Sequence, residues 1–234
     1  MPEKDRGMPT HFGRLHQRLS DPLLTVLTVM LTFLLFVLGP MQAAGVVTGQ
    51  HFGYFFALVL LPAAFLYSRN LLVAAPIAVA IALVVTAALL DFERSHRTDL
   101  YLDSTAWLIA GLALSVVVAR AVFGPGRITY HRVVGAVLLY LTIGLIFVAL
   151  YGFVALAAPG AFTNLPALHG DFAVAGNLIY FSFVTLTTTG YGDIAPLHPY
   201  ARSLANVEAI IGQIYPATLL ARLVTLELSR ERGS

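Results

Sequence analysis

The chain contains no cysteine, which excludes disulfide staples, thiolate nucleophiles and zinc–thiolate sites. Charge is almost as scarce. Asp, Glu, Lys and Arg make up 11% of the 234 residues, against about 25% in an ordinary soluble domain. A chain with so few charges cannot cover its own surface in water. Its formal charge of +2 is no nucleic-acid footprint, because the basic residues sit in short segments between apolar runs, where membrane orientation explains them better. No internal repeat, nucleophile–base pair or metal-ligand cluster is visible, so an enzyme is not expected and no organic cofactor is implied.

What the chain has in excess is apolar sequence: 58% of its residues are hydrophobic and the mean hydropathy is +0.81. The runs predict an all-α membrane protein with six transmembrane helices, each able to cross a hydrocarbon core that needs about 20 helical residues. The first run goes from Pro22 to about Gly39, opened by "SDP" as an N-cap followed by proline at the first helical position. The second goes from Ala44 to Tyr67, with a kink expected at Pro62, and the third from Asn70 to Leu90. The fourth follows "LDST", where Asp103 to Thr105 offer caps, and runs to about Phe123. The fifth is His131 to Ala157 and the sixth about Pro199 to Leu228. A basic lead, an apolar stretch and "MQAAG" loosely resemble a cleavable signal peptide, but the apolar part is too long for a typical one.

Charge placement orients this topology. All 14 Lys and Arg except Arg94, Arg97 and Arg202 fall in segments on the side of the N-terminus. Most acidic loop residues (Asp91, Glu93, Asp99, Asp103, Asp171, Asp193) fall on the other side. The positive-inside rule then puts both termini in the cytoplasm, and a plasma (inner) membrane is the expected location. The expected organisation is a cytoplasmic segment over 1–21, a four-helix membrane unit over 22–123, a second helical unit over 131–228 and a short cytoplasmic tail over 229–234.

The segment between spans five and six divides in two. "APGAFTNLPALHGD" reads as an external loop. "FAVAGNLIYFSFVTLT" is apolar but short for a span, and predicts a re-entrant helix that stops midway. Directly after it comes "TLTTTGYGDI", Thr185 to Ile194. Its glycines and β-branched threonines disfavour helix, and non-helical backbone at membrane depth is tolerated only when buried in protein or lining a water-filled path. Glycine supplies the positive φ values needed when successive carbonyls must point the same way.

"TLTTTGYGD" resembles the potassium-channel signature, usually written T-x-x-T-V-G-Y-G-D. The resemblance covers roughly the last hundred residues and is strongest around this motif. It implies a pore domain over 131–228 (outer helix, pore helix, selectivity filter, inner helix). The filter would be Thr188, Thr189, Gly190, Tyr191 and Gly192. Potassium, the permeant ion, would be coordinated by the carbonyls of Thr188, Thr189, Gly190 and Tyr191, with the Thr188 hydroxyl at the inner end. Tyr191 would pack outward against the pore helix, and Thr185 and Asp193 would support the filter. Thr189 stands where valine is usual, and its hydroxyl is expected behind the filter. Family members brace the external aspartate with a pore-helix glutamate or a tryptophan pair. Val184, Tyr180 and Phe181 stand at those positions, so the brace for Asp193 is open. One filter strand per chain implies a homotetramer in the lipid bilayer.

The first four spans lack the arginine ladder of a voltage sensor. The fourth has only Arg120 near its cytoplasmic end, so weak intrinsic voltage dependence is expected, and Arg120 reads as an orientation anchor. The short tail leaves no room for a gating domain, so regulation of that kind would fall to a separate chain. Glu208 is the acidic residue placed well inside a span, where a charge costs about 2.5–3.5 kcal/mol. It reads either as a proton-sensitive brace behind the filter or as a neutral packing residue. Gly212 follows Gly192 by twenty residues, where the family's inner helix often bends, and Pro216 breaks a helical hydrogen bond just beyond. The pair is a candidate gating hinge, with close helix packing as the alternative for Gly212. Loop histidines His51, His96, His169 and His198 read as solvated rather than pH-sensing. The leading expectation is passive potassium conduction through a tetrameric central pore. A weakly selective cation channel, or a non-conducting scaffold or transporter subunit, are the alternatives.

Overall fold

The computed structural model describes residues 24–44, 46, 78–79, 82, 96–123, 130–165 and 173–231. Among these the chain is helical, with no strand and an isolated bridge between Phe162 and Pro196. Helix α1 covers 24–43 and contains a π-helical stretch, Leu34–Leu38, closed by the Gly39 N–H on the Leu34 carbonyl. The next residue is Pro40, which cannot donate an N–H and crowds the carbonyl four residues back. The widened turn just before it accommodates that loss. Helix α2 is His96–Phe123, α3 is Tyr130–Ala157, α4 is Ala173–Leu186 and α5 is Pro199–Glu231.

Among the described residues four helices, over Leu24–Met41, Leu100–Arg120, Val133–Ala157 and Pro199–Arg222, are long and apolar enough to cross a membrane. The expected second and third spans, Ala44 to Tyr67 and Asn70 to Leu90, lie outside the described residues apart from isolated positions. The fourth expected span needs correction at its start. "LDST" does not cap a helix there, because α2 already begins at His96. Thr105 instead donates its hydroxyl to the Tyr101 carbonyl one turn back, as a mid-helix threonine does. No Gly or Pro interrupts the stretch from His96 to Ala110, so nothing in the backbone stops the helix from extending through its polar first turns.

The core is an aliphatic and aromatic seam along α1, α2, α3 and α4. Small residues set its closeness. A side chain at Gly111 of α2 would run into Ile146 of α3, and one at Gly152 of α3 into the Ser104 hydroxyl of α2. Helices without a hydrophobic drive between them in lipid approach through such gaps.

Helix α4 rises about 1.5 Å per residue over its 14 residues, so it reaches about 21 Å and falls short of a hydrocarbon core of about 30 Å. It runs antiparallel to α3. Ser182 meets the Gly144 carbonyl, and four residues later the Leu186 carbonyl accepts from Tyr140. The chain then returns toward the C-terminal end of α3, where Thr163 and Ala195 exchange hydrogen bonds. It therefore enters and leaves this excursion at the same end of α3.

Candidate functional site

The excursion is built from its hydrogen bonds outward. At the end of α4 the N–H of Thr188 donates to the Thr185 carbonyl (2.9 Å), and the N–H groups of Thr189 and Gly190 to the Val184 carbonyl (2.9 and 3.3 Å). The strand after the helix thus turns its donors back onto the helix end. Its φ angles alternate in sign: Thr188 (56°), Gly190 (60°) and Gly192 (81°) are left-handed, while Thr189 and Tyr191 are not. Alternation of this kind turns successive N–H groups to one side and carbonyls to the other. Among the described residues the carbonyls of Thr188 to Gly192 accept no hydrogen bond, and residues 187–193 are exposed on the single chain. Glycine carries two of the three left-handed positions at no steric cost. Thr188 carries the third, and its hydroxyl accepts a hydrogen bond from the Gln213 side-chain amide at 2.7 Å.

The remaining sequence-predicted residues fall around this strand. The Thr189 hydroxyl lies 2.9 Å from that of Thr187, which itself donates to the Phe183 carbonyl. The side chain that replaces valine is thus tied to the end of α4. Tyr191 stacks on Tyr180 of α4, ring centroids 6.4 Å apart and planes parallel within 1°. Asp193, whose brace the sequence left open, is held through its backbone carbonyl, which accepts from the Asn164 side-chain amide at 2.7 Å. Asn164 is itself left-handed (φ 52°), a conformation asparagine tolerates. The neighbouring Ala161 carbonyl accepts from the N–H groups of Leu197 and His198, so the loop after α3 is stitched along the segment after Asp193. His198 faces Tyr200, 5.3 Å between rings.

Behind the strand lies a polar knot. Glu208 of α5 is fully buried, 0% exposed. Its carboxyl oxygens sit 2.6 Å from the Tyr151 hydroxyl of α3 and 2.6 Å from the Ser182 hydroxyl of α4. Gly212, one turn along α5, rests against the Leu186 carbonyl so closely that any Cβ would collide with it. The same carbonyl accepts from Tyr140, whose ring stacks on Tyr215 of α5 at 5.6 Å, and Tyr215 donates to the Ala136 carbonyl. Gly212 is therefore a packing contact in this conformation, within a helix that continues unbroken through Pro216. Pro216 lacks the N–H that the Gly212 carbonyl would otherwise receive, so the ladder is thinnest there.

Tyr151, Ser182, Asn164 and Gln213 were not singled out from the sequence, whereas Tyr180 was named there as standing at a position of the family's tryptophan pair. Uncharged hydroxyls and amides in or beside apolar runs carry no distinguishing pattern. Gln213, adjacent to Gly212 and polar within a predicted span, offered the clearest signal of the four.

Residues 135–227 match a family model described as "Ion channel". Among curated proteins, Protein LctB of Bacillus caldotenax is 33% identical over 87 residues, covering 36% of this chain and 64% of that protein. The chain thus spans slightly less than two thirds of that relative's length. No solved structure matches. The family match falls on the part of the chain that holds the strand and its supporting helices. The match over residues 135–227 supports the likeness to potassium-channel pore loops and, with the apolar helices, indicates an ion channel in a membrane.

Proposed function

We propose that the chain is a potassium-selective channel subunit and that four copies close a central pore. The observation that carries the reading is the strand at Thr188 to Gly192. The N–H groups of Thr188, Thr189 and Gly190 are spent on the end of α4, the φ signs of the strand alternate, and its carbonyls are free among the described residues. A row of carbonyls aimed at one axis replaces the hydration shell of a monovalent cation, as in the potassium-channel filter that is the standing example of the principle. The permeant ion is potassium, held between successive rings of Thr188, Thr189, Gly190 and Tyr191 carbonyls. The Thr188 hydroxyl faces the inner side with Gln213, and Gly192 and Asp193 form the outer mouth.

Two further features favour this arrangement. Only 11% of the apolar span of α5 is buried in the single chain. It presents Val207, Ile210, Ile214 and Leu220 outward, a face for lipid and for neighbouring copies. The short α4 acts as a re-entrant pore helix whose C-terminal end, partially negative, points toward the path of a cation. Thr185 supports the filter through its carbonyl, and Gly212 and Pro216 mark where the inner helices part on opening. Both termini are cytoplasmic in this reading, and the peripheral helices do not form a strong voltage sensor.

The test is cation flux into liposomes carrying purified protein. Potassium-driven uptake that sodium does not support, together with a tetrameric mass in detergent, is the expected result. Equal potassium and sodium uptake would indicate a weakly selective cation pore, and no flux from a non-tetrameric protein would leave the scaffold reading.

A further inference from the structure

Ser182 has one hydroxyl hydrogen and two acceptors. Its Oγ lies 2.9 Å from the Gly144 carbonyl and 2.6 Å from Glu208 Oε1. With Glu208 as a carboxylate, both are acceptors, and one of these two buried contacts has no proton to share. The Tyr151 hydroxyl already spends its own hydrogen on Glu208 Oε2 at 2.6 Å. Placing a proton on Oε1 closes the account. Glu208 then donates to Ser182, Ser182 donates to the Gly144 carbonyl, and Tyr151 donates to Glu208, so every donor has one acceptor.

Burial points the same way. Glu208, Ser182 and Tyr151 are each 0% exposed, and both described partners of the carboxyl are neutral hydroxyls. A carboxylate without a cation partner is far more expensive to keep in such a place than a hydrogen-bonded neutral acid. The Phe183 ring lies across Gly144, 2.8 Å from where a Cβ would stand. The backbone of α3 is therefore bare enough for Ser182 to reach its carbonyl.

We propose that Glu208 is a neutral carboxylic acid at physiological pH. It acts as a positioning residue whose proton links α5 through Ser182 of α4 to the Gly144 backbone of α3. The chain of bonds ties inner, pore and outer helices together behind the filter strand. It sits one turn along α5 from the Gly212 contact with the end of α4, so it fixes the inner helix where that helix supports the filter. The bonding scheme is independent of ion selectivity, whereas its effect on flux rests on the potassium-channel reading above.

The test has two arms on the purified full-length protein. The first is infrared difference spectroscopy of wild type minus Glu208→Gln at neutral pH, in light and heavy water. A protonated-carboxyl C=O stretch in wild type that the variant lacks is expected. Carboxylate bands in its place would overturn the proposal. The second compares potassium flux in liposomes. Glu208→Ala and Ser182→Ala, which leave buried groups unsatisfied, are expected to lower flux by about tenfold. Glu208→Gln keeps a donor for Ser182 and an acceptor for Tyr151, and is expected to recover most of what Glu208→Ala loses. A glutamine variant no better than the alanine one would overturn the lock. Absent flux in wild type alongside the expected infrared band would count against the potassium-channel reading, with the lock intact.

Discussion

Helices α3 and α5 belong to the same half of the molecule and are both long enough to cross a membrane, yet their surroundings are opposite. Within one chain 61% of the α3 span is buried, against 11% of α5. Helix α3 is finished by its own chain, with α2 on one side and α4 on the other. Helix α5 meets the same chain along one stripe that includes Ala201, Leu204, Glu208, Gly212 and Tyr215, and shows apolar residues such as Val207, Ile210 and Ile214 outside it. In the proposed tetramer this lightly covered helix is the one that meets lipid and other copies, and the difference then separates what the subunit supplies alone from what assembly adds.

The largest effect expected from breaking this contrast comes from placing a charge on each helix. Asp at a helix centre costs about 2.5–3.5 kcal/mol on insertion scales. Leu138→Asp, on the fully covered face of α3, is expected to give no folded protein in detergent. Ile210→Asp, on the uncovered face of α5, is expected to keep its helix content by circular dichroism and to lose the tetrameric mass. Identical behaviour of the two variants would erase the distinction.

A finer probe adds a single methyl. Gly212→Ala drives a Cβ into the Leu186 carbonyl, whereas Gly144→Ala meets the Phe183 ring, which can turn aside. Overpacking costs about 1–3 kcal/mol, with the backbone collision at the upper end. Gly212→Ala is expected to abolish potassium flux and lower thermal stability more than Gly144→Ala, measured side by side in flux and melting assays. Smaller again is Gln213→Ala, which removes the donor to Thr188. Losing one neutral hydrogen bond of about 1 kcal/mol is expected to change potassium flux severalfold and leave tetramer mass unaltered. Smallest is Arg222→Ala at the far end of α5. Its guanidinium lies 4.8 Å from the Phe123 ring and donates to the Phe123 carbonyl. An exposed contact of this kind is worth about 0.5–1 kcal/mol, so a slight loss of thermal stability with flux retained is expected.

Much of the pore half was legible in the sequence because long apolar runs and a glycine-punctuated polar motif are local signals. The limits read for α3, α4 and the start of α5 differ by a residue or so from the observed ones. Glu208 could be singled out because a lone carboxylate in an apolar run is conspicuous. Its partners could not. Tyr151 and Ser182 are 57 and 26 residues away, and nothing local marks either as a buried donor. The support of Asp193 was hidden for the same reason, since Asn164 lies 29 residues earlier in a loop that reads simply as polar. At Gly212 the glycine itself was visible, but the carbonyl it accommodates belongs to Leu186 on another helix. The misread start of α2 has a different cause. "LDST" carries capping residues, but a cap needs a chain that is not already helical, and His96 begins the helix upstream.

The measurement that bears most directly on the whole account is the reversal potential of purified protein in a planar bilayer, with potassium on one side and sodium on the other. A filter of four Thr188 to Gly192 strands predicts a strong displacement in the direction that favours potassium, abolished together with the current by Gly190→Ala. A reversal potential at zero in the wild type would contradict it.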